Sequence, residues 1–202
     1  MSVQTHNDTP LKKTISKAEI NALPLSRWDG KIRLINKAED VPAAVEVLKK
    51  TTVLGFDTET RPTFRKGENH LPALLQLATE DEVFLFQLLQ IKSLDGLIDV
   101  LADPDIIKAG VAVRDDIKKL QEMQMFEAGG FCEVSEMTQA AGVINTGLRS
   151  LAALLLGIRI SKSAQISNWA KQELSQSQIH YAATDAWVSR RLYECVIELG
   201  LA

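Results

Sequence analysis

Five side chains in this sequence have types and spacings that could do chemistry together. In Val53-Leu54-Gly55-Phe56-Asp57-Thr58-Glu59 an apolar run ends on two carboxylates two residues apart. On an extended strand that period sends Asp57 and Glu59 to the same side of the sheet at its carboxyl end. Like charges held at this spacing repel unless a cation lies between them, and carboxylate oxygens suit Mg2+ or Mn2+. The plainer alternative is a strand end where Asp57 caps the next turn. Between Ile106 and Leu120 the chain passes through small residues into a helical pattern that opens with Asp115 and Asp116. Ile117 and Leu120 mark its apolar face, so Asp116, beside that face, is the better metal candidate. Asp115 turns away and is the better helix cap. In the stretch from Leu174 to Ala186, Tyr181 and Asp185 are four residues apart and share a helix face, flanked by Ala182, Ala183 and Ala186, which let a neighbour approach closely. A Tyr and Asp that merely satisfy one another across a turn would read the same way in isolation. Together the four carboxylates and one phenol suffice for a pair of divalent cations.

The elements that must position these groups follow from the hydrophobic periodicity. The 202 residues fit one domain. Residues 1–29 are polar, with little periodicity, and read as a tail or loose lead-in; the domain is expected over 30–202. Lys31 to Ile35 alternates as a strand, Val41 to Lys49 has helical spacing, and Thr52 to Phe56 is a buried strand ending on Asp57. Strands over Ala73 to Ala78 and Glu82 to Leu88 are joined by the turn Thr79-Glu80-Asp81. A helix over Leu94 to Ala102 stops at Asp103-Pro104, a strand covers Ile106 to Val111, and mostly helical patterns follow. Ser175 and Gln178 form a capping-box pattern that starts a helix running to about Leu199. The chain is therefore α/β, with strands early and helices late.

Composition narrows the classes of function. Lys and Arg number 23 against 26 Asp and Glu, a formal charge of −3, which disfavours tight nucleic-acid binding by phosphate neutralisation alone. A local basic rim around a catalytic pocket is compatible with that total. The longest apolar run, Leu151 to Ile158, is too short to cross a bilayer, and the polar N-terminus lacks the apolar block of a signal peptide. A cytoplasmic or otherwise intracellular protein with no membrane partner is expected. Cys132 and Cys195 show no CxxC spacing and read as small buried apolar residues, with no disulfide framework or zinc site indicated.

The ordered set of motifs resembles the tyrosine branch of the DEDD superfamily of 3'-5' exonucleases, which includes ribonuclease D and the Werner-type exonuclease domains. The matching text is Leu54-Gly55-Phe56-Asp57-Thr58-Glu59, then Lys108-Ala109-Gly110-Val111 with Asp116, then Tyr181-Ala182-Ala183-Thr184-Asp185-Ala186. Ala73 to Ala78, Leu148 to Gly157 and Ser167-Asn168-Trp169 support it, so the similarity spans about residues 30–200.

The resemblance implies a ribonuclease H-like fold, a mixed sheet flanked by helices, and hydrolysis of phosphodiester bonds from a free 3' end of DNA or RNA to release nucleoside 5'-monophosphates. It implies two Mg2+ or Mn2+ ions held by Asp57, Glu59, Asp116 and Asp185. Asp57 would bridge the two ions, Asp116 would act through water, and Tyr181 would orient the attacking water. Substrate contacts are expected from Thr58, from the basic segment Arg61, Arg65 and Lys66, and from Lys118. This segment is more basic than in the Werner-type domain, and Ile117-Lys118 stands where that relative carries an aromatic residue, so substrate contacts are expected to differ. His180 lies one helical step off the Tyr181 face and suits an exposed or capping role. Trp169 suits a packing anchor.

Two alternative readings fit the motifs less well. Phe56-Asp57-Thr58-Glu59 superficially resembles the strand-end Asp-x-Asp of haloacid dehalogenase phosphatases, but Glu59 and Arg61 stand where that motif needs Asp and then Thr or Val. An exonuclease-like module with weak catalysis, retained for nucleic-acid binding, would have no need of all five motif residues.

Overall fold

The computed structural model describes residues 11–63 and 68–201. Six strands form one mixed sheet: β1 (Lys31–Ile35), β2 (Val53–Thr60), β3 (Pro72–Ala78), β4 (Glu82–Gln87), β5 (Ile107–Gly110) and β6 (Phe131–Glu133). Their spatial order is β1-β4-β3-β2-β5-β6. β2-β3 and β3-β4 are antiparallel, whereas β1-β4, β2-β5 and β5-β6 are parallel. Eight helices surround it among the described residues: α1 (Lys17–Ala22), α2 (Val41–Leu48), α3 (Leu88–Ile91), α4 (Ile98–Leu101), α5 (Val113–Met123), α6 (Val134–Ala140), α7 (Leu148–Leu156) and α8 (Gln176–Glu198).

Side-chain alternation divides the core between the two faces of the sheet. Leu54, Phe56, Leu75, Leu77, Phe84 and Phe86 pack with α2, α4 and α5 on one face. Leu74, Ala78, Val83 and Leu85 meet Ala182, Ala183 and Ala186 of α8 on the other. β3 and β4 are buried along their whole length, as expected of central strands covered on both sides. Gly55 makes the closest approach possible: a Cβ there would overlap the backbone oxygen of Ala186, so only glycine brings β2 and α8 this near.

Several elements depart from the sequence expectation. β2 extends to Thr60, because the antiparallel pairing with β3 continues to Thr60–Pro72 through a register shift after Glu59. The helix expected over Leu94 to Ala102 is regular only over Ile98–Leu101. β6 falls in a region whose sequence pattern predicts helix; it forms because β5 offers a free parallel edge to Phe131–Glu133. The lead-in holds α1, closed by a reciprocal capping box between Ser16 and Glu19. Trp28 of the same stretch is buried against Trp187, and its backbone N–H donates to the Thr184 hydroxyl. Cys132 and Cys195 are free thiols, half-buried rather than fully buried. Among the described residues, no helix is long and apolar enough to cross a membrane.

Candidate active site

β2 delivers Asp57 and Glu59 to the face that α8 covers, and α8, drawn in over Gly55 by its alanines, carries Asp185 to them. Ligand oxygens of the three carboxylates lie within 4.8 Å of one another. The Asp57 carboxylate accepts a hydrogen bond from the Thr58 backbone N–H at 2.9 Å. Burial, then the charges of Asp185, Glu59 and Asp116, pushes the Asp57 carboxyl well above its ordinary range. Burial is also the main cause for Glu59, pushed up to about 9 with help from Asp185 and Asp116, and for Asp185, pushed up to about 7 despite its hydrogen bond with Tyr181. Three carboxyl groups this close hold protons that a cation would displace. An all-oxygen donor set with no sulfur or imidazole fits a hard divalent ion.

Asp116 reaches the site from the opposite face of the sheet. It stands on α5, and the Thr58 hydroxyl donates to its Oδ1 at 2.6 Å. Burial pushes its carboxyl up to about 6, against the lowering effect of Thr58 and Lys119. The Thr58 hydroxyl proton is thus given to Asp116, while Thr58, expected at the substrate, also lines the cavity over the carboxylates.

Asp115 does not cap the helix. Ala112 occupies the cap position with a left-handed backbone (φ 64), and the Glu133 carboxylate accepts from the N–H groups of Ala112 and Val113 at 2.9 and 2.8 Å. Asp115 is the third residue of the helix, inside its first turn, and points to solvent, 3.7 Å from Lys118. Lys118 is exposed beside Asp115, and its neighbour Lys119, one helical step round, lines the groove beside Glu59 instead.

Tyr181 lies one turn before Asp185 on α8, its ring against Trp169 at a centroid distance of 5.9 Å. Trp169 is almost fully buried and acts as the expected packing anchor. Burial, then the negative charges of Asp185, Glu59 and Asp57, pushes the phenol well above its ordinary value, so it stays protonated. The His180 ring nitrogen Nδ1 lies 3.1 Å from the Gln176 carbonyl.

A cavity of about 430 Å3 opens over the carboxylates, walled on the far side by Gly147 to Ser150 at the start of α7 and by Ser161, Lys162 and Gln165. Arg149 and Lys162 put two cations on this wall, and the sequence reading assigned neither a substrate role. Arg149 donates from Nη2 to Asn21 Oδ1 at 3.0 Å, while its Nε is buried without a partner. A second groove, of about 440 Å3, runs from Glu59 past Arg61, His70 and Lys119. Arg61 is therefore beside the carboxylates as expected, whereas Arg65 and Lys66 lie outside the described residues.

Sheet and site together define a ribonuclease H-like protein with an acidic cluster able to hold a divalent cation. The chain belongs to the 3'-5' exonuclease family of the DEDD superfamily, whose model matches residues 32–196. It is 31% identical over 176 residues to ribonuclease D of Gluconacetobacter diazotrophicus, covering 82% of this chain and 42% of that one. It is 28% identical over 227 residues to the human exonuclease mut-7 homolog, covering 98% and 25%. The chain spans less than half the length of these curated relatives. Among solved structures, the exonuclease domain of Aedes aegypti Nibbler matches with a TM-score of 0.78 at 23% identity, covering 86% of this chain and 91% of that one. Escherichia coli RNase D matches with a TM-score of 0.74 at 20% identity, covering 84% and 46%. These likenesses show the ribonuclease H-like fold.

Proposed function

We propose that the protein is a metal-dependent 3'-5' exonuclease that hydrolyses phosphodiester bonds at a free 3' end and releases nucleoside 5'-monophosphates. The observation that carries this reading is the convergence of Asp57, Glu59 and Asp185 on the floor of a cavity whose opposite wall bears Arg149 and Lys162. Asp57, Glu59 and Asp185 would hold a first Mg2+ or Mn2+, and Asp57 with Asp116 a second. Bound there, such ions neutralise charge on the attacked phosphate and activate water.

The chain's own groups supply position and exclusion. Thr58 ties Asp116 to the strand that carries Asp57 and Glu59, so the two sides of the site move together. Tyr181 keeps its proton and shares it with Asp185, so its hydroxyl oxygen is free to accept from the attacking water and orient it rather than remove its proton. Arg149, Lys162 and Arg61 offer charge to the phosphate backbone on either side of the carboxylates. Residues 30–202 form the catalytic domain in this reading, and the two free thiols suit a reducing, intracellular compartment. The relatives named ribonuclease D, and a Trypanosoma brucei RNase D solved with RNA U12, favour RNA over DNA as substrate.

The test uses matched RNA and DNA strands labelled at the 3' or the 5' end, with Mg2+, Mn2+ or EDTA. Immediate release of labelled mononucleotide from the 3' label only, lost in EDTA and in Asp57→Ala, is expected. Binding without release at any metal concentration would sink the proposal.

A further inference from the structure

Beneath α8 the protein buries an amide with nothing to bond. Gln76 lies in β3 between Leu74 and Ala78, on the face that α8 covers, directly opposite Asp57 on β2 and Leu85 on β4. It is fully buried, and neither its Nε2 nor its Oε1 has a hydrogen-bond partner. Among the described residues it is the side chain amide unpaired at both ends; Gln87, also buried, donates its Nε2 to the carbonyls of Lys171 and Gln172. An unpaired buried amide costs about 1–3 kcal/mol. A leucine in this place would match Leu74 and Leu85 and carry no such cost, so packing gives no reason for a glutamine here.

The neighbours give one. Directly opposed residues on one sheet face have Cβ atoms about 4.5–5.5 Å apart, well within the reach of a glutamine side chain. Of the two residues opposed to Gln76, Leu85 is apolar and Asp57 is a carboxylate. Asp57 Oδ1 already takes the Thr58 N–H, and a carboxylate oxygen accepts more than one hydrogen bond.

We propose that Gln76 is a positioning residue for Asp57: its Nε2–H donates to the Asp57 carboxylate when that carboxylate holds a divalent cation, fixing the carboxylate's orientation. With the Thr58 N–H from one side and the Gln76 amide from the other, Asp57 is held at both neighbours. Hydrogen bonds to an ionised acceptor are about twice as strong as neutral ones, which offsets the cost of burying the amide. The proposal rests on the reading of Asp57 as a cation ligand.

The test compares the whole chain with Gln76→Leu, Gln76→Met and Asp57→Asn. Mn2+ binding is read by electron paramagnetic resonance and melting temperature in EDTA by circular dichroism; kcat and KM are measured at saturating Mn2+. Both Gln76 variants are expected to melt at or above the wild-type temperature in EDTA, since the unpaired amide is gone. They are also expected to bind Mn2+ about 10- to 100-fold more weakly, the usual cost of losing a group that orients a metal ligand. The kcat should fall with KM little changed. Wild-type Mn2+ affinity in either Gln76 variant, with Asp57→Asn impaired, would overturn the role of Gln76 while leaving Asp57 a ligand. Failure of both Gln76 variants to fold would make it a structural group and overturn the proposal equally. If wild type and Asp57→Asn bound Mn2+ alike, the reading of Asp57 itself would fall.

Discussion

Glu59→Gln in metal-free buffer should stabilise the protein by an amount that depends on pH. Gln has the shape of a protonated Glu, so the substitution removes only the ability to ionise. The Glu59 carboxyl is raised from 4.5 to about 9, chiefly by burial and then by the charges of Asp185 and Asp116. A carboxyl raised on folding contributes its full stability below the unfolded value, near pH 4.5, and loses it as pH climbs towards the folded value, near 9. At pH 7 the unfolded carboxylate is ionised while the native one keeps its proton. The gap from 4.5 to neutral pH corresponds to roughly 3 kcal/mol at 1.36 kcal/mol per unit. Solvent reaching this half-buried group reduces that to about 2 kcal/mol. For a domain of this size such a gain is about 4–10 °C in melting temperature. Thermal melts of wild type and Glu59→Gln in EDTA should therefore coincide near pH 4.5 and separate progressively towards pH 8, the variant melting higher. Adding Mg2+ should reverse the order, because a bound ion stabilises only the protein that keeps its ligands. A difference that stayed constant with pH, or a variant that melted lower at pH 8 in EDTA, would refute the electrostatic account of the cluster.

Three further outcomes are expected. Gly55→Ala should cost more than about 4 kcal/mol, because the added methyl meets the Ala186 carbonyl, whereas Gly147→Ala, with open space around its Cβ, should cost only about 1 kcal/mol, the difference between glycine and alanine at the N-cap of α7. Equal melting temperatures for the two would mean that β2 and α8 do not approach as described. Glu133→Ala should lose about 1–2 kcal/mol by removing the carboxylate that accepts from the Val113 N–H of α5 and caps α6 at Ser135. It should also weaken Mn2+ binding by shifting the helix that carries Asp116, and a melt unchanged from wild type would reject that anchoring role. Tyr181→Phe should lower kcat with KM nearly constant and keep the rise of rate with pH, since a phenol held this far above its ordinary value titrates outside the working range. Loss of that rise in the variant would make the phenol the general base.

What the sequence displayed and what it concealed divide along local and non-local lines. Asp57 and Glu59 were legible because period two is a property of one strand, and Tyr181 with Asp185 because four residues are one turn of one helix. The capping box that opens α8 was legible for the same reason: Ser175 and Gln178 satisfy each other within four residues. Asp115 misled because a helix start with two acids suggests a local cap, while the groups that need capping are met by Glu133, twenty residues away on the neighbouring strand. Lys118 and Lys119 differ by one residue, and only the way α5 docks on β2 decides which of the two faces the groove. Arg149 enters the cavity wall by docking α7 against α8, a contact with no signature in its own segment. Gln76 stood in plain view in an apolar run, yet its meaning depends on the register that sets it opposite Asp57. The chemistry of this site is thus written locally, but the groups that hold it in place come from partners distant in the chain. A homologue could therefore keep all five motif residues and still work poorly if Gly55, Gln76 or Glu133 were replaced.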